Sequence, residues 1–266
     1  MKPAKKILSR FRKLYQSRFI FRCTVLLLTV VLYIVAPGQF EVLSGFECFR
    51  RFSVFHLLWI LWMIDMVLQL KPSKAYWTIG SQKFLKDTFQ PLKNFVKEGD
   101  HGLLEFICKS NRDTLLIGMV WLLLTAAIGA VYFLGWIDRN MLLVISVLFY
   151  VLDILFVLYW CPFRVWFMKN RCCTTCRIFN WDHVMMCSPL FFIPGVFTWS
   201  LCSMALVVFV VWEVTFYLHP ERFWEGSNEN LQCHNCPDQL CGQRNCKIGF
   251  SNIKDLKNDL RGNSDV

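Results

Sequence analysis

Hydrophobic residues are grouped into five long stretches along the chain, with polar segments between them. The apolar stretches lie at about residues 19–36, 53–70, 114–136, 141–161 and 195–218. A helix needs about 20 apolar residues to cross the hydrocarbon core of a bilayer, and each stretch is close to that length. The pattern therefore predicts an all-α protein, a polytopic membrane helical bundle with about five transmembrane helices.

A longer apolar run includes the last of these stretches. Residues 184–218 are mostly apolar, and the run is too long for one span and too short for two spans joined by a turn. Pro189, Pro194 and Gly195 interrupt a regular helix within it. We therefore expect a short re-entrant or interfacial segment at 184–193, followed by the fifth span at 195–218.

Two segments outside the spans have the spacing of amphipathic helices. In residues 4–20, apolar positions recur at helical spacing among lysines and arginines. Residues 81–99 repeat this pattern, although Pro91 interrupts it. Such patterns predict helices that lie on the membrane surface, with a solvated basic tail as the alternative for the first segment. The predicted organisation is a basic amphipathic segment at 1–18, a transmembrane bundle at 19–218 and a hydrophilic, cysteine-rich tail at 219–266.

The composition supports a membrane protein, and this affects how the net positive charge is interpreted. The chain is 55% hydrophobic and only 18% charged, which leaves too little polar surface for a soluble domain of this length. Its formal charge is +10. In a membrane protein, that charge reflects basic cytoplasmic loops and contact with anionic lipid. We therefore expect the lipid bilayer and anionic lipids at the inner face as partners, and not nucleic acid.

The distribution of basic residues predicts an orientation. The segments 1–22, 71–113 and 162–183 contain eight, eight and four lysines or arginines, and the alternating segments contain two, one and six. Because cytoplasmic loops are enriched in these residues, the first set is expected inside. With five spans, the N-terminus is then inside and the C-terminal tail outside.

Two groups of cysteines are the main candidates for chemistry. The first is Cys172, Cys173 and Cys176, flanked by Arg171 and Arg177. A C-x-x-C turn brings two sulfurs close enough to share a metal or form a disulfide, and the arginines favour the thiolate. The alternatives are a metal site, a redox-active dithiol, and inert or lipid-modified cysteines.

The second group fills a short stretch of the tail. Four thiolates suffice for a tetrahedral zinc site, whereas an iron–sulfur cluster or, in an oxidising compartment, two disulfides are the alternatives. The predicted topology separates the two groups, so an electron relay between them would need a carrier such as a quinone. An even number of spans would place both on one side and favour a joint metal site. The second group consists of Cys233, Cys236, Cys241 and Cys246.

Two acidic residues lie within predicted spans. Asp65 is in the second span and Asp153 in the fourth. Ionisable groups inside a membrane are costly and commonly mark ion or proton paths. Since both residues have a similar predicted depth, we expect them to face one another around a proton or cation. His56 and Glu213 also share a similar predicted depth, but for them we prefer that each reaches the interface or bonds to neighbouring backbone, with a hydrogen-bonded pair as the alternative.

One run of sequence carries a resemblance. The residues "CPFRVWFMKNRCCTTCRIFNWD", at 161–182, resemble loops of uncharacterised bacterial multi-spanning membrane proteins that have a CCxxC loop and a cysteine-rich tail. The resemblance covers this run alone. It implies a bacterial cytoplasmic (inner) membrane setting and no activity.

These features lead to two hypotheses of function. In the first, the protein carries cysteine-based metal sites, with zinc or an iron–sulfur cluster, or dithiol redox sites. Electron or proton transfer would then involve a redox partner or a quinone. In the second, the protein is a transporter or assembly factor with purely structural cysteines. The sequence contains no motif that identifies catalytic residues.

Overall fold

The computed structural model describes residues 3–70, 83–92, 101–169 and 176–232, with side chains from residue 13 onwards. These residues form helices and turns, without a β-strand among them. The predicted fold class, an all-α polytopic membrane bundle, is confirmed.

Seven α-helices follow one another along the described chain. Four are long and apolar enough to cross a membrane, and a fifth, α3, is shorter and apolar. Each of these five overlaps one of the five predicted apolar stretches, although α1 and α4 begin well before theirs. The bounds are α1 Pro3–Val35, α2 Glu47–Arg50, α3 Phe55–Leu70, α4 His101–Phe133, α5 Arg139–Leu158, α6 Asp182–Cys187 and α7 Val196–Leu218.

Short helical segments of other kinds connect these helices. A π-helix at Phe163–Met168 follows α5. Local sequence explains where α5 begins. The Asp138 carboxylate accepts a hydrogen bond from the backbone N–H of Met141 at 2.9 Å and so caps the start of the helix. The 3₁₀-helices lie at Pro37–Leu43, Arg177–Trp181, Ser188–Phe192, Pro220–Phe223 and Glu229–Leu231.

One end of the bundle is formed by short connections. The backbone N–H of Gly45 donates to the carbonyl of Pro194, and that of Val196 donates to the carbonyl of Gly45, both at 2.9 Å. Arg139, at the start of α5, hydrogen-bonds to Ser44. We call this end, at residues 36–54, 134–139 and 194–196, the short-loop end.

The other end contains residues 83–92, between α3 and α4, together with residues 219–232, after α7. The ring of Phe84 stacks on that of Phe223, with centroids 4.4 Å apart. The backbone N–H of Leu92 donates to Ser227 at 3.0 Å, and the side chain of Asn228 donates to the carbonyl of Lys83 at 3.1 Å. We call this end, at residues 83–92, 101–106 and 219–232, the basic end.

This packing corrects the predicted topology. The sequence placed 71–113 and 219–266 at opposite ends of the bundle, whereas the described parts of both segments are in contact. That prediction is therefore wrong for residues 83–92 and 219–232. The cause is an additional passage through the bundle, which reverses the direction of α7.

Residues 176–195 make that additional passage, antiparallel to α7. Its start lies beside the end of α7, and its end lies at the short-loop end beside the start of α7. Four contacts record the order: Arg177 with Glu213, Trp181 with Phe209, Cys187 with Cys202, and Ile193 with Thr198. From Val196 to Glu213, α7 rises about 26 Å at 1.5 Å per residue, so this segment joins the two ends of the bundle.

The predicted re-entrant or interfacial segment at 184–193 is thus wrong. These residues belong to α6 and the following 3₁₀-helix, and they pack against α4, α5 and α7. Met186, Cys187, Leu190 and Ile193 are buried in the core. We call residues 176–195 the irregular crossing.

The two predicted surface helices also differ in the structure. Residues 3–35 form one helix without a boundary near residue 18, so the N-terminal segment is continuous with the first span. Residues 83–92 form turns, and Phe84 is fully buried against Phe223 instead of lying on a lipid surface. The remaining part of the second predicted helix, from 93, lies outside the described residues.

Candidate functional site: an intramembrane charge network and its cavity

An arginine of α1 joins a carboxylate of α5 inside the bundle. The Arg22 guanidinium donates to the carboxylate of Asp153 at 2.6 Å and to the backbone carbonyl of Tyr150 at 2.7 Å. Its central carbon lies 3.8 Å from the centroid of the Tyr150 ring. Arg22 therefore has charge-assisted, hydrogen-bonded and cation–π contacts with a single turn of α5.

Sequence reasoning missed this partner of Asp153. Arg22 was counted with the basic residues of the N-terminal segment, although the apolar stretch already begins at 19. The sequence signal that could have identified Arg22 is a single basic residue within the first turns of an apolar span. Ser146 and Tyr150, which share the helical stripe of Asp153 on α5, are buried.

A histidine of the irregular crossing lies between two carboxylates. Nε2 of His183 is 3.4 Å from Asp65 on α3, and Nδ1 is 3.1 Å from the neighbouring Asp182. The His183 side chain is only 5% exposed. With both ring nitrogens facing carboxylate oxygens, the protonated imidazolium donates to both at once, whereas the neutral ring donates to one of them.

An amide of α3 extends this network. The Gln69 side chain donates to Asn180 at 3.2 Å and to Asp182 at 3.1 Å. Gln69 and Asn180 are both buried. Asn180, Asp182 and His183 of the irregular crossing therefore have polar partners on α3, which helps to explain how these polar groups lie inside the bundle.

Both predicted intramembrane acids belong to this region. Arg18, Arg22, Asp65 and Tyr150 line one small cavity of about 70 Å³, and Arg22 also binds Asp153. Asp65 and Asp153 thus approach the same arginine. That they conduct a proton or cation remains a prediction. We call Arg22, Asp65, Asp153, Asp182, His183 and Gln69 the charge network.

A larger cavity borders the network on its other side. It has a volume of about 290 Å³ and lies among α4, α5, the π-helix and the irregular crossing. Asp153 and Asp182 contribute its carboxylates, and Cys161 and Cys176 contribute thiols. The remaining lining is apolar, with several aromatic rings. We call this space the aromatic cavity.

The cysteine predictions can be followed only in part. Cys176 is buried and begins the irregular crossing. Cys172 and Cys173, and the tail residues Cys233, Cys236, Cys241 and Cys246, lie outside the described residues. In the described part of the chain, no group of three or more histidine, cysteine or acidic side chains is arranged to hold a metal ion.

The alternative pairing of His56 with Glu213 is wrong, whereas the preferred interpretation holds for His56, whose ring contacts the backbone carbonyls of Ser53 and Cys48. His56 lies near the short-loop end, where Nε2 is 2.9 Å from the backbone carbonyl of Cys48. Glu213 lies toward the basic end and accepts from Arg177 at 2.5 Å and from the indole of Trp181 at 2.8 Å. The error follows from the direction of α7, since the predicted depths assumed that it runs the other way.

The geometry brings together groups that can bind a ligand and exchange protons. The network offers carboxylates and an imidazole that accept or release protons within the bundle, and an arginine that keeps one carboxylate in place. The aromatic cavity gives two of the carboxylates access to a small ligand. Comparisons with protein-family models, with curated proteins and with solved structures found no match, so the geometry alone carries the assignment of function.

Proposed function

We propose that this integral membrane protein binds a zinc-type metal ion at its basic end. The ligands are thiolates drawn jointly from the 172–176 loop and from the tail. The charge network lies within the bundle as a proton or cation path. This proposal unites the two cysteine groups that the sequence alone assigned to opposite sides of the membrane.

A single observation supports the joint site. The described residues that border the two cysteine groups, Arg177 and Gln232, lie at the same end of the bundle. Arg177, directly after Cys176, contacts Glu213 and the ring of Phe216 near the end of α7. Gln232, directly before Cys233, bonds to Glu225 in the segment that follows α7. Thiolates from two such segments commonly complete a tetrahedral zinc site.

The charge distribution supports a cytoplasmic location for this end. With the tail assigned to the basic end, 26 of the 29 lysines and arginines fall in the segments 1–22, 71–113, 162–183 and 219–266. Cytoplasmic loops are enriched in these residues, so the N-terminus and the tail are both inside. The cytosol keeps thiols reduced, and this favours thiolate ligands over structural disulfides.

Metal content tests the proposal directly. Protein purified without oxygen should contain zinc in a fixed ratio, measured by plasma mass spectrometry. Cys173→Ser and Cys233→Ser should each abolish the bound metal, because a shared tetrahedral site loses affinity with either ligand. Cys108→Ser is the matched control, since Cys108 is an exposed free thiol on α4.

Two results would reject the joint site. Metal-free wild-type protein with all thiols titratable would exclude metal binding. Partial loss of metal in each variant, with complete loss only in the double variant, would show two separate sites.

The orientation has its own test in intact cells. On a background without native cysteines, a single cysteine restored at 233 should react with a membrane-impermeant maleimide only after permeabilisation. Phe49→Cys is the opposite control, because Phe49 is 76% exposed at the short-loop end and should react in intact cells. The reverse pattern would contradict the cytoplasmic assignment.

A transporter is the second candidate, and the charge network favours it. Charged groups in the interior of a membrane protein commonly mark the route of a transported species. In that case, cysteine variants would lose metal without losing activity, whereas Asp65→Asn and Asp153→Asn would lose transport.

A further inference from the structure

Four aromatic rings form a continuous wall in the aromatic cavity. The Trp121 ring lies 5.0 Å from Phe149 and 6.3 Å from Phe163, and Phe163 lies 6.1 Å from Phe156, all in edge-to-face arrangements. All four side chains line the cavity. The faces of aromatic rings carry partial negative charge, so a cavity with several rings in its wall is a candidate site for a cation.

The charged residues of this cavity are all acidic. Asp153 and Asp182 line it, and no lysine, arginine or histidine is among the described residues that do so. The Arg22 bond uses Oδ2 of Asp153, and the Gln69 and His183 contacts use Oδ1 of Asp182. Among the described residues, these contacts leave Oδ1 of Asp153 and Oδ2 of Asp182 to bind a ligand.

We propose that the aromatic cavity binds an organic ammonium ion with apolar substituents, held by the aromatic wall and by Asp153 and Asp182. This site goes beyond the proposed metal site and does not depend on it. A quaternary ammonium group has the required surface, because its charge lies beneath methyl groups that pack against rings.

Other ligand classes fit this lining less well. Magnesium and calcium require about six or more oxygen ligands, whereas two carboxylates in an apolar wall supply few. A neutral apolar molecule would leave the second oxygen of each carboxylate facing it without a hydrogen-bond donor or a positive charge. A ligand that carries its own negative charge would be repelled by them.

The size of the cavity limits the ligand to a small head group. Binding pockets for drug-sized molecules occupy about 300–1,000 Å³, and this cavity, at about 290 Å³, lies at the lower limit. Choline and related amines are of suitable size. The same chemistry comes from free ammonium compounds and from the head group of phosphatidylcholine, so the experiment must separate these sources.

The decisive measurement compares choline with 3,3-dimethylbutan-1-ol, which has the same shape but replaces the charged nitrogen by carbon. Binding is measured by calorimetry on the full chain in phosphatidylglycerol nanodiscs, which contain no choline. We expect choline to bind at least about tenfold more tightly, equivalent to about 1.4 kcal/mol. Equal binding of the two compounds, or no binding of either, would overturn the proposal.

Variants then locate the site. Phe156→Leu removes one ring and should weaken choline binding several-fold, while Phe133→Leu, at a position 74% exposed in α4, should leave it unchanged. Val157→Phe should fill the cavity and abolish binding, with the thermal transition retained as evidence of folding. Unchanged affinity in folded Phe156→Leu and Val157→Phe proteins would place choline elsewhere and refute the assignment.

A change of lipid identifies the source of the ligand. Weaker binding of added choline in nanodiscs that contain phosphatidylcholine would show that the lipid head group competes for the site. Equal affinity in both lipids would assign the site to a free ammonium compound. Both results agree with the cavity as a cation site.

Discussion

The helix α7 and the irregular crossing cover the same distance through the bundle in different ways. In α7, 23 consecutive residues form one helix, and Val207, Val210 and Val214 have about half of their surface exposed. The irregular crossing divides into a 3₁₀-helix, a six-residue α-helix and a second 3₁₀-helix, and most of its side chains are buried. A lipid-facing segment must satisfy its backbone within itself, whereas a segment enclosed by protein can borrow partners.

This contrast assigns different origins to the stability of the two segments. Apart from the bond of Val196 to Gly45, the backbone bonds of α7 are local to the helix and its ends. The irregular crossing depends on side-chain contacts with α3, α4 and α7, including the Arg177–Glu213 pair and the bonds of Gln69. Substitutions that remove single contacts should therefore destabilise the irregular crossing more than comparable changes within α7.

Arg177→Met should have the largest effect. Arg177 and Glu213 are only 11% and 23% exposed, so removing the guanidinium leaves a poorly solvated carboxylate with the Trp181 indole as its remaining donor. The expected loss is about 3 kcal/mol of unfolding free energy, at the low end for a buried pair because Glu213 keeps some exposure. Denaturation in detergent measures it.

A double-mutant cycle separates the ion pair from general packing loss. Glu213→Gln added to Arg177→Met should recover part of the stability, because the uncompensated charge is gone. Thr215→Val is the control in α7. Among the described residues its hydroxyl donates to Val211 of the same helix, and the substitution should change stability by less than about 0.5 kcal/mol. A double variant as unstable as the sum of both single changes would show that the two residues act independently.

Gly195→Ala should have the next largest effect, at the joint between the irregular crossing and α7. A β-carbon at this position would overlap the backbone carbonyl of Leu43, and backbone cannot move aside as a side chain can. Relief of the overlap would break the paired bonds of Gly45 with Pro194 and Val196. We expect a loss of about 1–3 kcal/mol, the usual range for overpacking.

Gly38→Ala provides the matched control for that substitution. An added β-carbon at Gly38 meets nothing within 4 Å, and the residue lies in the same short-loop end. Its thermal transition in detergent should match that of the wild type. Equal destabilisation by both substitutions would mean that the Gly45–Gly195 contact does not determine the stability of this end.

The same contrast explains which parts of the fold could be predicted from sequence. Lipid-facing helices must be long and apolar, so the five spans are visible in the pattern of hydrophobic residues. The irregular crossing contains Arg177, Asn180, Asp182 and His183, and their partners come from distant parts of the chain. A hydropathy pattern assigns such polar residues to a loop. Because the irregular crossing was therefore not predicted, the predicted direction of α7 was the reverse of the observed one.

The candidate site was predictable to a similar degree. Asp65 and Asp153 could be identified because single acids within apolar spans need partners. Their partners, Arg22 and His183, were assigned to basic or loop segments, since no local pattern connects residues more than 100 positions apart. The aromatic cavity depends on the packing of four separate segments and has no signal in the sequence.

Gln69→Leu tests the polar partners of the irregular crossing. The substitution removes the donor to Asn180 and Asp182 and replaces it with an apolar side chain of similar size. Loss of hydrogen-bonded partners at buried groups costs about 1–3 kcal/mol, and we expect the lower half of that range because His183 still contacts Asp182. Gln232→Leu, which loses one long bond of 3.4 Å to Glu225, should be nearly neutral in the same thermal denaturation assay.

The smallest expected effect comes from two tryptophans in matching positions. The Trp59 indole on α3 donates to Ser200 of α7 at 2.9 Å, and the Trp121 indole on α4 donates to Ser188 of the irregular crossing at 3.2 Å. Each serine hydroxyl also donates to a backbone carbonyl, so neither is left without a partner when the indole is removed. Trp59→Phe and Trp121→Phe should therefore each cost only about 1 kcal/mol.

Local opening should nevertheless differ between the two variants. Amides of α7 around Ser200 are bonded within a continuous helix, and their hydrogen exchange should stay at the wild-type rate in Trp59→Phe. Amides of residues 182–190 lie in short helices that depend on neighbouring side chains, so Trp121→Phe should accelerate their exchange several-fold at nearly unchanged global stability. If the two variants change hydrogen exchange equally in the two regions, the irregular crossing depends on neighbouring side chains no more than α7 does. The proposed difference in the origin of their stability would then be incorrect.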